Sequence, residues 1–207
     1  MHTALCVGFA GFLRAGEFTW EKWNPLQSPR LRLSRKHITF EEETVTLHLP
    51  SSKTDPFASG VDIYLTKSPI PEICPVRALK RLFARFPTPA DAPLFTRAFG
   101  PFSRSYFVEQ TKSLLLQVGV DPSKYSGHSL RKGAAISAKA AGIPRDEIKL
   151  LGRWKSDAVD IYITESAKQD HKARMLQLQS QLHLVQAPLA SSSRQSSSRP
   201  SVTLHLA

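Results

Sequence analysis

The chain has 207 residues, a formal net charge of +11 and a pI near 10. Its apolar content of 41% is ordinary, and its length suffices for one domain with a real core plus a tail. The positive charge favours a polyanionic partner, most simply nucleic acid, with an acidic membrane surface or an acidic protein as weaker alternatives. Two cysteines, Cys6 and Cys74, exclude a disulfide framework and a zinc-site spacing, and they fit a reducing compartment.

The first apolar run, Ala4 to Leu13, is too short to span a bilayer and lacks the basic flank and cleavage site of a signal peptide. We interpret it as a buried helix. Arg14 and Glu17 follow directly, and Gly16 permits a turn there. Taken alone, Arg14 would be a surface charge.

Three runs with alternating polar and apolar residues predict an antiparallel sheet. Arg32–Phe40 and Glu43–Leu49 flank an acidic turn, and Gly60–Thr66 alternates in the same way. The loop between the second and third runs, PSSKTDPFAS, is rich in turn formers and contains Lys53. A single lysine in such a loop is ordinarily a solvated charge.

Helical patterns dominate the rest of the chain, so the expected fold class is α+β, mostly α, with a small three-stranded antiparallel sheet. Pro71–Arg85 is amphipathic. The basic face of this helix has two interpretations, contact with DNA or plain solvation: Arg77, Lys80, Arg81 and Arg85. A helix from about Ser103 to Val118 is expected to bury a group of apolar residues: Leu114, Leu115, Leu116 and Val118.

The stretch from Tyr125 to Ile163 predicts three short helices. Ser129 is a plausible N-cap for a helix through Ala141, and Gly142 ends it. Pro144 begins the next helix and Gly152 closes it. A third helix is expected from about residue 156.

Four side chains in this stretch suit the cleavage of a phosphodiester. His128 and Arg131 are three residues apart and can point the same way at a helix start, and Trp154 and Tyr162 follow. An arginine offers a planar fork of donors to the charge on the phosphate oxygens. A histidine donates or accepts a proton, and a tyrosine hydroxyl can form a covalent intermediate. Each residue alone also has a plain structural interpretation, as a satisfied histidine or a core aromatic.

Together these residues resemble a family signature. GHSLRKGAA followed by LLGRWKSDAVDIYI is similar to the His-x-x-Arg, His-or-Trp, Tyr pattern of tyrosine recombinases of the phage-integrase type, especially their eukaryotic mobile-element branch. The interval of 23 residues from Arg131 to Trp154 is the usual one, whereas Trp154 to Tyr162 is eight residues, one fewer than in bacterial members. The resemblance covers about residues 4–166.

The resemblance also implies two upstream residues. Family members carry an arginine in an LR-x-x-E/D context, which Arg14 and Glu17 match, and a lysine on a β-hairpin, which Lys53 matches. Lys53 would protonate the leaving 5′-oxygen.

The mechanism that the resemblance implies begins with Tyr162, which attacks a DNA phosphodiester and leaves a 3′-phosphotyrosyl link and a free 5′-hydroxyl. His128 would assist proton movement. Three side chains would hold the non-bridging oxygens: Arg14, Arg131 and Trp154. The phosphoester energy stays in the covalent link, so no cofactor, no ATP and no metal is expected.

The resemblance assigns residues 1–186 to an N-terminally truncated catalytic domain. The Ser-rich composition from Ala187 predicts a disordered tail, residues 187–207. Family members carry a DNA-clamping helical domain and one more catalytic-domain helix ahead of the matching segment. Residues 165–185 are predicted to form a polar helix with an apolar stripe, for which docking on a neighbouring subunit and packing on the same chain are both open.

Three functions fit these observations. The first is a site-specific DNA recombinase or integrase acting on double-stranded DNA, as a homo-oligomer on that DNA, in the nucleus and without a membrane partner. The second is a catalytically idle, truncated or domesticated DNA-binding remnant of a mobile element. The third is a relative of type IB topoisomerases. A generic basic protein-interaction module leaves the ordered motif set unexplained.

Overall fold

The computed structural model describes residues 1–21, 32–51 and 59–164. The helices are α1 (His2–Ala10), α2 (Ala15–Phe18), α3 (Pro75–Arg85), α4 (Arg104–Gln117), α5 (Ser129–Ala140) and α6 (Arg145–Leu151). Residues 159–164 are also helical and are called α7. Within these ranges no helix is both long and apolar enough to cross a bilayer. Lys53, the predicted helix 165–185 and the predicted tail 187–207 lie outside the described residues.

The sheet is antiparallel in the order β1 (Ile38–Phe40), β2 (Thr44–Leu49), β3 (Val61–Thr66). Leu47 on the central strand lies opposite both Ile38 and Ile63, and all three side chains are buried. The predicted three-stranded antiparallel sheet is confirmed. The alternation of polar and apolar residues predicted these strands correctly because one face of the sheet packs on the core.

The first strand is shorter than predicted. Its expected N-terminal half forms a 3-10 turn, Arg35–His37, instead of strand. The Ser34 amide donates to Nδ1 of His37 at 3.0 Å, and the Arg35 amide donates to the Ala92 carbonyl at 3.0 Å. The first bond closes the turn, and the second ties the backbone to the loop at Ala92 instead of to the neighbouring strand.

The core of the described residues consists of two apolar clusters. The larger lies between the sheet and helices α1 to α4 and includes Val7, Leu47 and Leu79. The smaller joins the turn after α1 to helices α5, α6 and α7: Phe12, Ala134, Ala135, Ile148, Val159 and Ile163. The smaller cluster therefore fixes the three helices that carry the predicted signature against the start of the chain.

Helix α1 contributes to the larger cluster, and the turn that follows it contributes Phe12 to the smaller one. Helix α1 packs against α3 and against α5. Gly8 is buried, and a Cβ there would lie 2.7 Å from Cδ1 of Leu130. A glycine at this position thus lets α5 approach α1 closely, one residue before Arg131.

Helix α4 corrects a sequence-based expectation. Leu114, Leu116 and Val118 are 40%, 63% and 72% exposed, and only Phe107 of this helix is buried. The Phe107 ring packs edge-on against Phe18 at 5.0 Å between centroids. The N-terminal half of α4 therefore anchors it, and its C-terminal half extends beyond the core. By contrast, the predicted amphipathic face of α3 is confirmed.

The central stretch largely follows the sequence signals. Gly142 ends α5 with φ +83°, and Pro144 precedes α6 as predicted. The N-cap of α5 is His128, one residue before the predicted Ser129. The Ser129 hydroxyl instead accepts from the Ser126 amide at 2.9 Å, which stabilises the turn leading into the helix.

The contrast between sheet and α4 leucines is testable. Leu47→Ala removes a fully buried side chain and should lower the free energy of unfolding by about 2–5 kcal/mol. The same substitution at Leu116 should change it by less than about 0.5 kcal/mol, because that side chain is already solvated. Urea denaturation of both variants checks this, and an equal loss at Leu116 would contradict the placement of α4.

Candidate active site

The site is built on the C-terminal end of helix α1. The chain leaves this helix through Phe12, whose φ of 51° lies in the left-handed region. The Phe12 side chain is held in the smaller apolar cluster, which compensates this unfavourable conformation. The carbonyl groups of Gly11 and Phe12 are thereby left to accept side-chain donors. Because a helix C-terminus carries partial negative charge, it favours cations there.

Arg131, in the first turn of α5, is the first such cation. It is 4% exposed, its Nη1 donates to the Phe12 carbonyl at 2.8 Å, and its guanidinium lies 4.1 Å from the centre of the Trp154 ring. Its Nη2 is buried and has no hydrogen-bond partner among the described residues. Burial, and then the charges of Arg14 and Arg153, lower the pKa of Arg131 to about 10. The group stays charged at neutral pH with one donor available for an anion.

Arg14 and Glu17 form the second part of the site. Arg14 precedes α2, its Nη1 donates to Oε1 of Glu17 at 2.8 Å, and its amide donates to Oε2 at 2.8 Å. The Glu17 side chain is 4% exposed. The acidic residue of the LR-x-x-E context therefore holds the arginine in place through both backbone and side chain.

Arg153 was missed by the sequence analysis. It has φ 59°, and its guanidinium donates to the carbonyls of Gly11 at 3.0 Å and Phe12 at 3.2 Å and to Oε2 of Glu17 at 3.1 Å. Burial lowers its pKa. The available signal was an arginine between a helix-ending glycine and the signature tryptophan, but its long-range partners are not visible in the sequence.

Trp154 and Tyr162 complete the cluster. Their ring centroids are 6.2 Å apart, and Trp154 also meets Phe12 edge-on at 6.4 Å. Both rings are half-buried. The Trp154 ring thus covers one face of the Arg131 guanidinium, and the Tyr162 ring lies next to Trp154.

An ionic clamp holds the start of α7 against α6. Arg145 donates from Nε and Nη2 to the two carboxylate oxygens of Asp160 at 2.6 and 2.7 Å, and from Nη2 to Asp157 at 2.7 Å. Lys149 donates to Asp157 at 2.8 Å. Hydrogen bonds from Lys149 and Arg145 lower the pKa of Asp157 to about 2. Asp160, the last residue of the clamp, lies two residues before Tyr162, so the clamp constrains the backbone position of Tyr162.

The remaining predicted residues lie differently. His128 is exposed at the N-cap of α5, and its amide donates to the Ser126 hydroxyl at 3.3 Å. It shares the start of α5 with Arg131, which is three residues further along. Lys53 lies outside the described residues. The structure therefore brings together four predicted side chains, Arg14, Arg131, Trp154 and Tyr162, and adds Arg153.

The cluster combines three arginines with one carboxylate. Its formal charge is about +2 before any ligand binds, in a partly buried setting where charges interact more strongly than in water. Such an arrangement suits a phosphate group whose negative charge grows in a transition state. Across the described ranges, no group of three or more His, Cys, Asp or Glu side chains is placed to hold a metal ion.

Solved structures define the class of fold. The XerH site-specific recombinase bound to its difH substrate superimposes with a TM-score of 0.55 at 15% identity, covering 77% of this chain and 41% of XerH. A Tn1549 transposon integrase in complex with circular intermediate DNA gives a TM-score of 0.51 at 14% identity, covering 83% of this chain and 57% of the integrase. The fold is that of a tyrosine recombinase catalytic domain.

A sequence relative agrees with this class. An integrase/recombinase xerD homolog of Selenomonas ruminantium is 30% identical over 164 residues, which span 73% of this chain and 42% of the relative. No family model matches the chain. The sequence match and the shared fold support the tyrosine recombinase family for this chain, which spans less than half the length of that relative.

Gly152 is required by the position of Trp154. A Cβ at Gly152 would lie 1.6 Å from a carbon of the Trp154 ring, so Gly152→Ala must displace the ring. We expect a loss of about 1–3 kcal/mol in the free energy of unfolding, as for other overpacking substitutions. Gly16→Ala is the matched control, since a Cβ there meets nothing within 4 Å. Equal stability of the two variants would contradict the Trp154 placement.

The clamp on α7 should weaken in acid. The pKa of Asp157 is depressed from an ordinary 3.8 to about 2, so its contribution is full above about pH 4 and is lost as pH falls toward 2. The difference in Tm between wild type and Asp157→Asn should therefore shrink between pH 7 and pH 2.5. Glu109→Gln controls for the change in net charge. A constant difference would show that the ion pairs do not form in solution.

Proposed function

We propose that the chain is the catalytic part of a site-specific DNA recombinase or integrase that cleaves and rejoins DNA through a 3′-phosphotyrosyl intermediate. The observation that carries the proposal is Arg131: a buried, charged guanidinium, covered by Trp154 and close to Arg14 and Tyr162, whose Nη2 has no partner in the described part of the chain. A buried cation that lacks a full set of acceptors is costly unless an anion completes it. A DNA phosphate is the anion that this chain, with its net charge of +11, would attract.

In the proposed reaction the scissile phosphate lies over Arg131. Arg14 and Arg131 donate to its non-bridging oxygens, and Trp154, which offers only an N–H donor, stabilises charge without transferring a proton. The Tyr162 oxygen attacks phosphorus, the bond to the 5′-oxygen breaks, and the phosphate becomes linked to Tyr162. His128, exposed at the start of α5, is proposed to assist proton movement at the Tyr162 nucleophile or at the phosphate. Rejoining reverses these steps with a 5′-hydroxyl as the attacking group.

The nucleophile is tested with a pool of nicked, radiolabelled duplexes. Wild-type protein should form a denaturation-resistant protein–DNA adduct, and Tyr162→Phe should form none. Tyr64→Phe is the matched control, because Tyr64 is 69% exposed on β3 and belongs to no part of the proposed site. An adduct that survives in Tyr162→Phe would remove Tyr162 from the mechanism.

The phosphate-binding role of Arg131 has its own expected size. Arg131→Lys keeps a positive charge but loses the fork that reaches the Phe12 carbonyl and the phosphate together. We expect adduct formation to slow by at least about 100-fold, as when one preorganised donor is removed from other active sites. Rates within about threefold of wild type under single-turnover conditions would contradict this role.

Lys53 is proposed as the general acid for the leaving 5′-oxygen. A substrate with sulfur in the bridging 5′ position needs no such acid, because a thiolate leaves readily. Lys53→Ala should therefore cleave the oxygen substrate slowly and the sulfur substrate at nearly the wild-type rate. Equal defects on both substrates would assign Lys53 another role.

The comparisons do not favour the catalytically idle remnant. That remnant would show salt-sensitive DNA binding and no adduct in the same assay. A topoisomerase-like activity would instead relax supercoiled plasmids that lack a specific site. Either pattern would replace the proposal.

We further propose double-stranded DNA as the partner, a homo-oligomer on that DNA, service to a mobile element of the eukaryotic branch, and residence in the nucleus. The GRWKSDA context around Trp154 supports the mobile-element assignment, and the net charge supports the nucleic-acid partner. Sedimentation with and without bound duplex and imaging of the tagged chain in its source cells test the assembly and the location.

A further inference from the structure

Arg153 is a half-buried cation, with its side chain 13% exposed, that the proposed chemistry does not use. Its guanidinium donates to three acceptors at the end of α1 and the start of α2: the Gly11 carbonyl, the Phe12 carbonyl and Oε2 of Glu17. Its backbone has φ 59°, a conformation that a residue with a side chain adopts only when its surroundings hold it there. The hydrogen bonds of the inward-directed side chain compensate this unfavourable backbone conformation.

Two of the three acceptors are shared with the proposed phosphate-binding arginines. The Phe12 carbonyl accepts from Arg131 at 2.8 Å and from Arg153 at 3.2 Å. The Glu17 carboxylate accepts from Arg14 through Oε1 and from Arg153 through Oε2. Arg153 therefore touches the supports of both arginines, and it lies close enough to lower the pKa of Arg131.

The two oxygens of the Glu17 carboxylate accept from different donors, and this has a chemical consequence. Only Nη1 of the Arg14 guanidinium bonds to Glu17 among the described residues, and Oε2 is occupied by the Arg14 amide and Arg153. Without Arg153, the buried carboxylate would lose one of its two cations and draw more strongly on the Arg14 guanidinium. Fewer donors of the Arg14 guanidinium would then remain for a phosphate.

We propose that Arg153 is a positioning residue that shares the Glu17 carboxylate and fixes the Gly11–Phe12 carbonyls, so that Arg14 and Arg131 keep donors for a phosphate. The inference rests on the proposed function for the identity of that phosphate. Arg153 acts through its neighbours and does not itself contact the reacting atoms. A shift of about 1 Å in such supports is enough to cost about 100-fold in rate.

The first test measures anion binding without any DNA cleavage. Isothermal titration calorimetry measures the affinity for inorganic vanadate, a phosphate mimic. The affinity of Arg153→Met should be at least about tenfold weaker than that of wild type, because about one preorganised contact is lost. Arg97→Met, which removes an exposed arginine that stacks on Tyr106, is the matched control and should bind as wild type does. Equal affinities in Arg153→Met and wild type, or no binding by wild type, would overturn the proposal.

The second test separates positioning from mere stability. At saturating nicked duplex, Arg153→Met should form adduct about 100-fold more slowly, with DNA affinity within about threefold of wild type. Arg153→Lys should fall between the two. The double variant Glu17→Gln/Arg153→Met should be faster than Arg153→Met, because the uncompensated carboxylate is gone. A double variant slower than Arg153→Met, or an adduct rate that simply follows the loss of Tm, would reduce Arg153 to a structural residue.

The two tests distinguish this inference from the proposed function. If wild type forms no adduct but vanadate affinity still falls in Arg153→Met, strand cleavage is refuted and the positioning role at the anion site is kept. If wild type forms adduct and Arg153→Met matches it in both assays, strand cleavage is kept and the positioning role is refuted.

Discussion

This structure depends on hydrogen bonds from two arginine side chains to the backbone carbonyls that follow the C-terminal end of helix α1. Arg131 and Arg153 reach the Phe12 carbonyl from positions 119 and 141 residues further along the chain. These bonds connect the first helix to the segments before and after α6. They therefore assemble, from the two ends of the described chain, a site that no single segment contains. The left-handed turn at Phe12 is the local feature that exposes the acceptors.

This arrangement is better explained by ligand binding than by stability. Burying several cations beside one carboxylate carries a desolvation cost that ion pairing returns only in part. The depressed pKa of Arg131, caused first by its burial and then by its cationic neighbours, reflects that cost. A phosphate brought against Nη2 would supply the missing acceptor and the missing negative charge together. Under the proposed function, the excess of positive charge would attract DNA and stabilise the growing charge on phosphorus.

Much of the fold was readable from the sequence because its signals are local. Alternation identified the three strands, one-sided apolar periodicity identified α3, and Gly142 and Pro144 marked the boundary between α5 and α6. The failures have physical causes. Three consecutive leucines at residues 114–116 cannot all face one side of a helix, and α4 extends past the core there. The first strand lost its beginning to backbone bonds with a loop about 55 residues away, which no local pattern shows.

The site was predictable in its residue types and order but not in its connections. The family signature identified Arg14, Arg131, Trp154 and Tyr162, which the structure brings together. The sequence analysis missed Arg153 because its three acceptors are more than 130 residues away in the chain, and because its left-handed backbone is not visible in the sequence. The clamp from Arg145 to α7 escaped for the same reason, since its partners are recognisable only once α6 and α7 are packed side by side.

In the proposed reaction, Tyr162 takes up a DNA phosphate at the arginine cluster beside helix α1. The most direct measurement is peptide mapping by mass spectrometry after trapping the protein on nicked duplexes and digesting both components. We expect one modified peptide, with a 3′-linked nucleotide on the Tyr162 oxygen. A nucleotide on another side chain, or unmodified Tyr162 in a sample that contains a covalent adduct, would contradict it.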